Sequence, residues 1–157
     1  MGFDSETAFE SALIKCLVEE KGWKDGVIKY PTEKDLLDNW AKIIFENNRD
    51  IDRLGDFPMT DGEMAQIMGQ IAKLRTPLNL NGFINGGTVQ IIRDNENDTH
   101  NFKKTISLKI FDRNEIAAGR TRYQIAQQPK FKAKNSIYPN RRGDFCLLIN
   151  GMPVIHV

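Results

Sequence analysis

The chain is short of the side chains that most often carry chemistry. It has two cysteines, Cys16 and Cys146, and two histidines, His100 and His156. The cysteines lie far apart inside apolar patterns, which suits buried thiols and argues against a disulfide or a metal pair. Neither histidine stands beside a serine or cysteine in a nucleophile motif, and His156, inside an apolar run, reads as a core histidine. A phosphate loop ending in Lys-Ser/Thr is missing, and so is a Gly-x-Gly-x-x-Gly after a strand, which removes two common nucleotide cradles. No apolar run approaches the roughly 18 residues of a membrane span. The opening Met1-Gly2-Phe3-Asp4-Ser5-Glu6 lacks the basic and apolar regions of a secretory signal. These absences lead to the expectation of a cytoplasmic protein with no membrane partner. No internal repeat, linker or low-complexity tract divides the chain.

What is present is enough for one domain with a real core: 157 residues, 40% hydrophobic and 27% charged. The net charge of +1 hides an uneven distribution. Residues 1–75 hold ten Lys or Arg against fifteen Asp or Glu, a balance of −5. Between 120 and 142 stand Arg120, Arg122, Lys130, Lys132, Lys134, Arg141 and Arg142 with no acid among them. Such a segment suits the backbone of a polyanion such as nucleic acid. Taken alone it also reads as a solvated Lys-rich loop.

The first part of the chain, about 1–76, has helical period. Thr7-Ala8-Phe9-Glu10 has the form of a capping box, and Phe9, Leu13, Cys16 and Leu17 follow at helical spacing on an apolar face, which predicts a helix from about Ser5 to Glu20. Gly22 supplies a left-handed stop. Thr32 caps a second helix with Leu36, Leu37, Trp40, Ile43 and Ile44 on one face, ending near Asn47-Asn48. Thr60-Asp61-Gly62-Glu63 is a second capping box, opening a helix with Met64, Ile67, Met68, Ile71 and Leu74 inward and ending at Thr76-Pro77. From about 82 the period changes to strands. Thr88 to Ile92 and Thr105 to Phe111 predict a hairpin, and Tyr123 to Gln128 a further strand. In the connection, Asp94, Glu96 and Asp98 mimic the start of a calcium loop without its Gly and closing Glu, so a solvated turn is expected.

The last residues carry the most information. Phe145-Cys146-Leu147-Leu148-Ile149 is apolar on both sides of the pleat, as in a central strand covered on both faces. Asn150-Gly151 is a hairpin turn, and Met152 to Val157 returns. The chain stops in mid-strand without a cap or polar tail, which reads as a piece of a longer protein. Asp144 stands at the mouth of the central strand. An Asp there ordinarily finishes a turn, but the hairpin register gives it a second reading. With a two-residue loop, Asp144 faces Val157; with a three-residue loop, it faces the residue that would follow Val157. A carboxylate at that next position would make, with Asp144, a hard-oxygen site for Mg²⁺.

The run Arg141-Arg142-Gly143-Asp144-Phe145-Cys146-Leu147-Leu148-Ile149-Asn150-Gly151-Met152-Pro153-Val154 resembles the nuclease domain at the N-terminus of the restriction, or motor, subunit of type I restriction-modification enzymes. That family reads Arg-x-Asp, an apolar run, Asn-Gly-x-Pro, another apolar run, then Glu-x-Lys. Phe9-Glu10 through Gly22-Trp23 is similar to its opening helix. Ile106 to Gln128, with Ile110-Phe111-Asp112 and the Gln127-Gln128 ending, is similar to its strand pair. Between about Pro31 and Leu80 the likeness is diffuse.

The resemblance implies an α+β or α/β fold of the PD-(D/E)xK restriction-endonuclease type, a mixed central sheet flanked by helices. It implies that Asp144 binds Mg²⁺ and that Glu10 matches the acidic residue such domains often carry on their first helix, although a capping-box role for Glu10 stays open. Gly143 replaces the commoner Pro. The Glu and Lys would follow Val157, so this chain by itself is expected to be inactive. Double-stranded DNA is the implied substrate, held by the 120–142 basic residues without sequence reading. Methyltransferase and specificity subunits are the implied partners, and ATP would be used by translocase domains outside these residues. A reading of another class is a non-catalytic nucleic-acid-binding or subunit-docking module with the same fold.

Overall fold

A computed structural model describes residues 5–117, 119–131, 141–142 and 145–157. Along the chain run α1 (Glu6–Glu20), β1 (Val27–Lys29), α2 (Glu33–Asn47), α3 (Asp61–Ile71), α4 (Pro77–Ile84), β2 (Thr88–Ile92), β3 (Thr105–Lys109), α5 (Arg113–Ala117), β4 (Tyr123–Gln127), β5 (Lys130–Phe131), β6 (Arg141–Arg142), β7 (Phe145–Ile149) and β8 (Met152–His156). The backbone divides into two compact units, Met1–Leu36 with Arg122–Val157, and Leu37–Thr121. That division follows a different line from the change of hydrophobic period in the sequence.

The first unit is a mixed four-stranded sheet in the order β1-β4-β7-β8. β1 lies parallel to β4, and β7 is antiparallel to both β4 and β8. Phe145, Leu147 and Ile125 turn one face of the sheet toward Leu13, Ile14, Leu17 and Val18 of α1. Cys146, Leu148 and Ala126 turn the other toward Leu36. Helical residues therefore cover the sheet on both faces. This is why β7 carries no polar residue: it is an internal strand, as its composition requires.

Helix α1 starts differently from the expectation. Its N-cap is Ser5, whose side chain accepts a hydrogen bond from the Ala8 N–H at 3.2 Å, so the Thr7–Glu10 pattern is not a capping box. Phe9 faces out at 47% exposure and Glu10 faces in at 7%. The inward stripe is buried Glu10 with partly buried Leu13, Ile14, Leu17 and Val18, one helical face at i, i+3/i+4 and i+7/i+8. The stop at Gly22 is as expected: its φ is 80°, and the Trp23 N–H reaches back to the Leu17 carbonyl at 3.1 Å.

The terminal hairpin joins both of the registers considered above. Asn150 and Gly151 have φ of 49° and 84°, the two left-handed residues of a two-residue turn, and Ile149 pairs with Met152. A bulge then shifts the register between Leu147 and Leu148, so that Leu147 pairs with Ile155 and Cys146 with His156. Phe145 and Val157 exchange hydrogen bonds of 3.3 and 2.9 Å. β8 is the edge of this sheet. Ile155 and Val157 are 51% and 46% exposed, and His156 is exposed rather than a core histidine, because among the described residues only β7 pairs with this strand.

In the second unit, α2 buries Trp40, Ile43 and Ile44, and α3 opens on the expected reciprocal cap, with the Thr60 hydroxyl and the Glu63 carboxylate each accepting from the other's backbone N–H. Thr76-Pro77 does not close α3. That helix ends at Ile71, and Thr76 caps α4 with Pro77 in its first turn, a position where the missing N–H costs nothing. β2 and β3 form the expected antiparallel hairpin. Its connection is not merely a solvated turn. Arg93 and Asp98 are buried, and the Arg93 Nε donates to Asp98 Oδ2 at 2.9 Å while Nη1 donates to both Glu63 oxygens at 2.9 and 2.7 Å. Thr60 donates from its hydroxyl to Asp94.

Candidate functional site

The sheet of the first unit is interrupted at one level, and the sequence explains why. Lys29-Tyr30-Pro31-Thr32 and Gln127-Gln128-Pro129-Lys130 each place a proline just beyond a strand. Proline has no N–H to give to a ladder and restricts the residue before it. Lys29 pairs with Gln127, and a parallel bridge resumes between Thr32 and Lys130. Tyr30 and Gln128, at the same level on neighbouring strands, are both left-handed, with φ of 55° and 49°. Each costs about 1–2 kcal/mol for a residue with a Cβ. The Tyr30 N–H donates to the Gln127 carbonyl and the Lys130 N–H to the Pro31 carbonyl, both at 2.8 Å, so the two chains cross the interruption tied together.

The antiparallel neighbour keeps step. Gln127 pairs with Phe145 and Lys130 with Arg142. Two residues separate 127 from 130 and two separate 142 from 145, so the register is the same on either side of the interruption.

Glu10 meets the sheet at this level. Its Oε2 accepts from Gln128 Nε2 at 2.9 Å. Strict alternation would send Gln128 to the Ala126 face, away from α1. The left-handed backbone breaks the pleat there, and the amide reaches the α1 carboxylate instead. Glu10 Oε1 is buried and has no hydrogen-bond partner among the described residues. A buried carboxylate oxygen without a donor is costly and calls for a cation, a water or a proton. Glu10 thus carries a buried hard-oxygen donor, the chemistry Mg²⁺ requires.

Of the other predicted site residues, Lys130 stands at the interruption, exposed, with Nζ 6.0 Å from the centre of the Tyr30 ring. Arg122 lies at the far end of β4, about 17 Å of strand away. There its N–H donates to Asn150 Oδ1 at 2.9 Å, and its carbonyl accepts from the Asn150 N–H at 2.8 Å. Arg120 belongs to the other unit. Asp144, Lys132 and Lys134 lie outside the described residues, as do the side chains of Arg141 and Arg142, whose backbones form β6. Among the described residues no group of three or more His, Cys, Asp or Glu is placed to hold a metal ion. Both thiols are free; burial pushes that of Cys146 upward, which makes it a poor nucleophile.

Sequence reasoning passed over Tyr30 and Gln128. The signal was available, since two X-Pro steps follow two strands, but their alignment depends on a pairing between residues almost a hundred positions apart. The inward direction of Glu10 was legible too, because it shares its helical stripe with Leu13, Ile14 and Leu17.

No family model matches the chain, and no curated protein matches it significantly. Among the described residues no helix is long and apolar enough to cross a membrane.

Proposed function

We propose that the first unit is the cutting core of a metal-dependent DNA phosphodiesterase, of the kind carried by the restriction subunit of type I restriction-modification enzymes. The observation that carries this is the meeting of Glu10 with the interrupted ladder. Gln128, whose amide holds Glu10, lies between β4, which pairs with β7, and β5, which pairs with β6. In the sequence Asp144 lies between β6 and β7, which supports it as the second acid that the resemblance implies.

The bulge in the terminal hairpin adds the third side. With Phe145 and Val157 paired, the β7–β8 ladder is intact at Val157, and a residue one step further along it would stand beside the entry to β7. That is where the resemblance requires the Glu of Glu-x-Lys. Asp144, this Glu and Glu10 would hold Mg²⁺. The bound ion would supply Lewis acidity toward the scissile phosphate and an activated water. Glu10 and Asp144 orient the donor set. Lys130 at the interruption contributes a phosphate contact, and the Lys of Glu-x-Lys stabilises developing negative charge. A restriction subunit of this kind would work in the cytoplasm with methyltransferase and specificity subunits and would draw on ATP in its translocase domains.

The test is plasmid cleavage in Mg²⁺ by this chain beside one extended by a few tens of residues of its natural sequence. Cleavage by the extended chain alone, abolished by Asp144→Ala with DNA binding retained, is the expected result. Equal cleavage by both lengths removes the proposal. Unchanged activity in Asp144→Ala points instead to the non-catalytic binding or docking module.

A further inference from the structure

We infer that Gln128 is a positioning residue for a divalent cation at Glu10, and that the left-handed turn of the backbone at 128 exists to bring its amide there. This rests on the metal-site reading given above and goes beyond it, because it assigns a role to a neutral side chain and to a backbone conformation.

A single carboxylate lacks a fixed orientation. Its two oxygens are equivalent, and its plane rotates freely unless something fixes it. A donor on one oxygen fixes the plane and leaves the other oxygen directed at the ligand; such outer partners of metal ligands orient them and sharpen affinity. Gln128 Nε2 donates to Oε2 of Glu10 at 2.9 Å, and Oε1 stays buried without a partner among the described residues. A neutral amide suits the task. Lysine or arginine at 128 would orient the carboxylate equally well, but its charge would compete with the cation for it.

The backbone supports the same conclusion. Gln128 has a Cβ and adopts a φ of 49°, where glycine would rest at little cost. Left-handed non-glycine residues persist where surrounding structure holds them, and they collect at functional sites. Here the holding contacts are visible: the Lys130 and Tyr30 amides each donate across to the neighbouring strand on either side of the interruption. The cation that fits is a hard one, Mg²⁺ or Mn²⁺, since the available donor is a carboxylate oxygen.

The experiment is a Mn²⁺ titration of the 157-residue chain, followed by the loss of the free-ion electron paramagnetic resonance signal, with thermal unfolding of each variant recorded without metal. The native chain should show a saturable Mn²⁺ site that Glu10→Gln abolishes. Gln128→Ala and Gln128→Gly should weaken it by about 10–100-fold, the usual effect of removing an outer partner. Gln128→Gly keeps the backbone, since glycine accepts φ of 49°, so its melting temperature should not fall below that of Gln128→Ala. Gln128→Lys should bind no better than Glu10→Gln. If Gln128→Gly binds Mn²⁺ as tightly as the native chain while Glu10→Gln does not, the role of Gln128 is refuted and the metal reading stands. If the native chain has no saturable site, or one that Glu10→Gln leaves unmoved, the metal reading at Glu10 fails with it.

Discussion

Replacing Arg93 by methionine should be among the most damaging single changes to the second unit. The guanidinium is fully buried between two acids. Besides its bonds to Asp98 and Glu63, it donates from Nη2 to the Phe57 carbonyl at 2.6 Å and from Nη1 to the Pro58 carbonyl at 3.3 Å. Glu63 is tied in turn to the N–H groups of Thr60 and Asp94, both at 3.0 Å. Methionine fills comparable space but leaves two buried carboxylates without their cation, for which about 3–5 kcal/mol of unfolding free energy is the expected loss. Urea unfolding at neutral pH, followed by far-ultraviolet circular dichroism, measures it. A variant within about 1 kcal/mol of the native chain would falsify the view that this triad is the anchor of the unit. Acid provides an independent check. Burial pushes Asp98 up, but hydrogen bonds from Arg93 and Asn101 outweigh it and hold the carboxyl below its ordinary 3.8. A group lowered on folding contributes stability that is present above 3.8 and drains away as pH falls through the lower folded value. Asp98→Asn should be less stable at neutral pH and should lose part of the native chain's acid dependence below about pH 4. An unchanged acid slope would contradict the assignment.

Four other outcomes follow from particular contacts. Asn150→Ala should cost about 1–3 kcal/mol in urea unfolding, because it loses both the tolerance of φ 49° and the acceptor for the Arg122 N–H, whereas Asn150→Gly should lose less. Gly87→Ala should destabilise by about 1–3 kcal/mol: its Cβ would strike the Phe83 ring and come 2.5 Å from the Phe83 carbonyl oxygen, while Ile110 and Phe111 N–H groups pin the Gly87 carbonyl. Lys130→Ala should reduce the slope of log affinity for double-stranded DNA against log salt by about 0.9, and an unchanged slope would remove Lys130 from the interface. Finally, if Asp144 shares the ion with Glu10, Asp144→Asn should weaken the Mn²⁺ site that Glu10→Gln abolishes; Mn²⁺ binding unchanged in Asp144→Asn would place the two acids at different sites.

Much of the local structure could be read from the residues alone. Thr60 and Glu63 announced the start of α3, Thr32 the start of α2, and Asn150-Gly151 the terminal turn, because caps and turns depend on side chains within a few positions of one another. Thr76-Pro77 shows the limit of such reading. The same dipeptide ends a helix when seen from the left and begins one when seen from the right, and it is the Asn79 N–H, donated to the Thr76 hydroxyl, that marks a beginning here. Glu10 shows another. A Thr-x-x-Glu pattern competed with Ser5 for the cap, but Ser5 accepts the Ala8 N–H, and Glu10 instead lies on the helical face it shares with Leu13, Ile14 and Leu17. His156 went the other way. An apolar neighbourhood suggested burial, yet being in an edge strand leaves it exposed, and edge or centre is a property of the sheet rather than of the strand. The hairpin register was left open between two choices because a bulge cannot be seen in a pattern whose residues are nearly all apolar.

The candidate site lies where long-range pairing aligns features that are individually bland. Tyr30-Pro31 and Gln128-Pro129 are ordinary strand endings until a parallel ladder sets them side by side. Interrupting one strand of a sheet leaves unpaired backbone groups, a cost that folded proteins avoid. Interrupting adjacent strands at one level, with Tyr30 and Lys130 amides bridging the gap, lets the backbone remain paired while the side chains leave the pleat. The sheet can therefore keep an apolar, doubly covered β7 and still bring the Gln128 amide to Glu10, because the change of side happens where the ladder is broken.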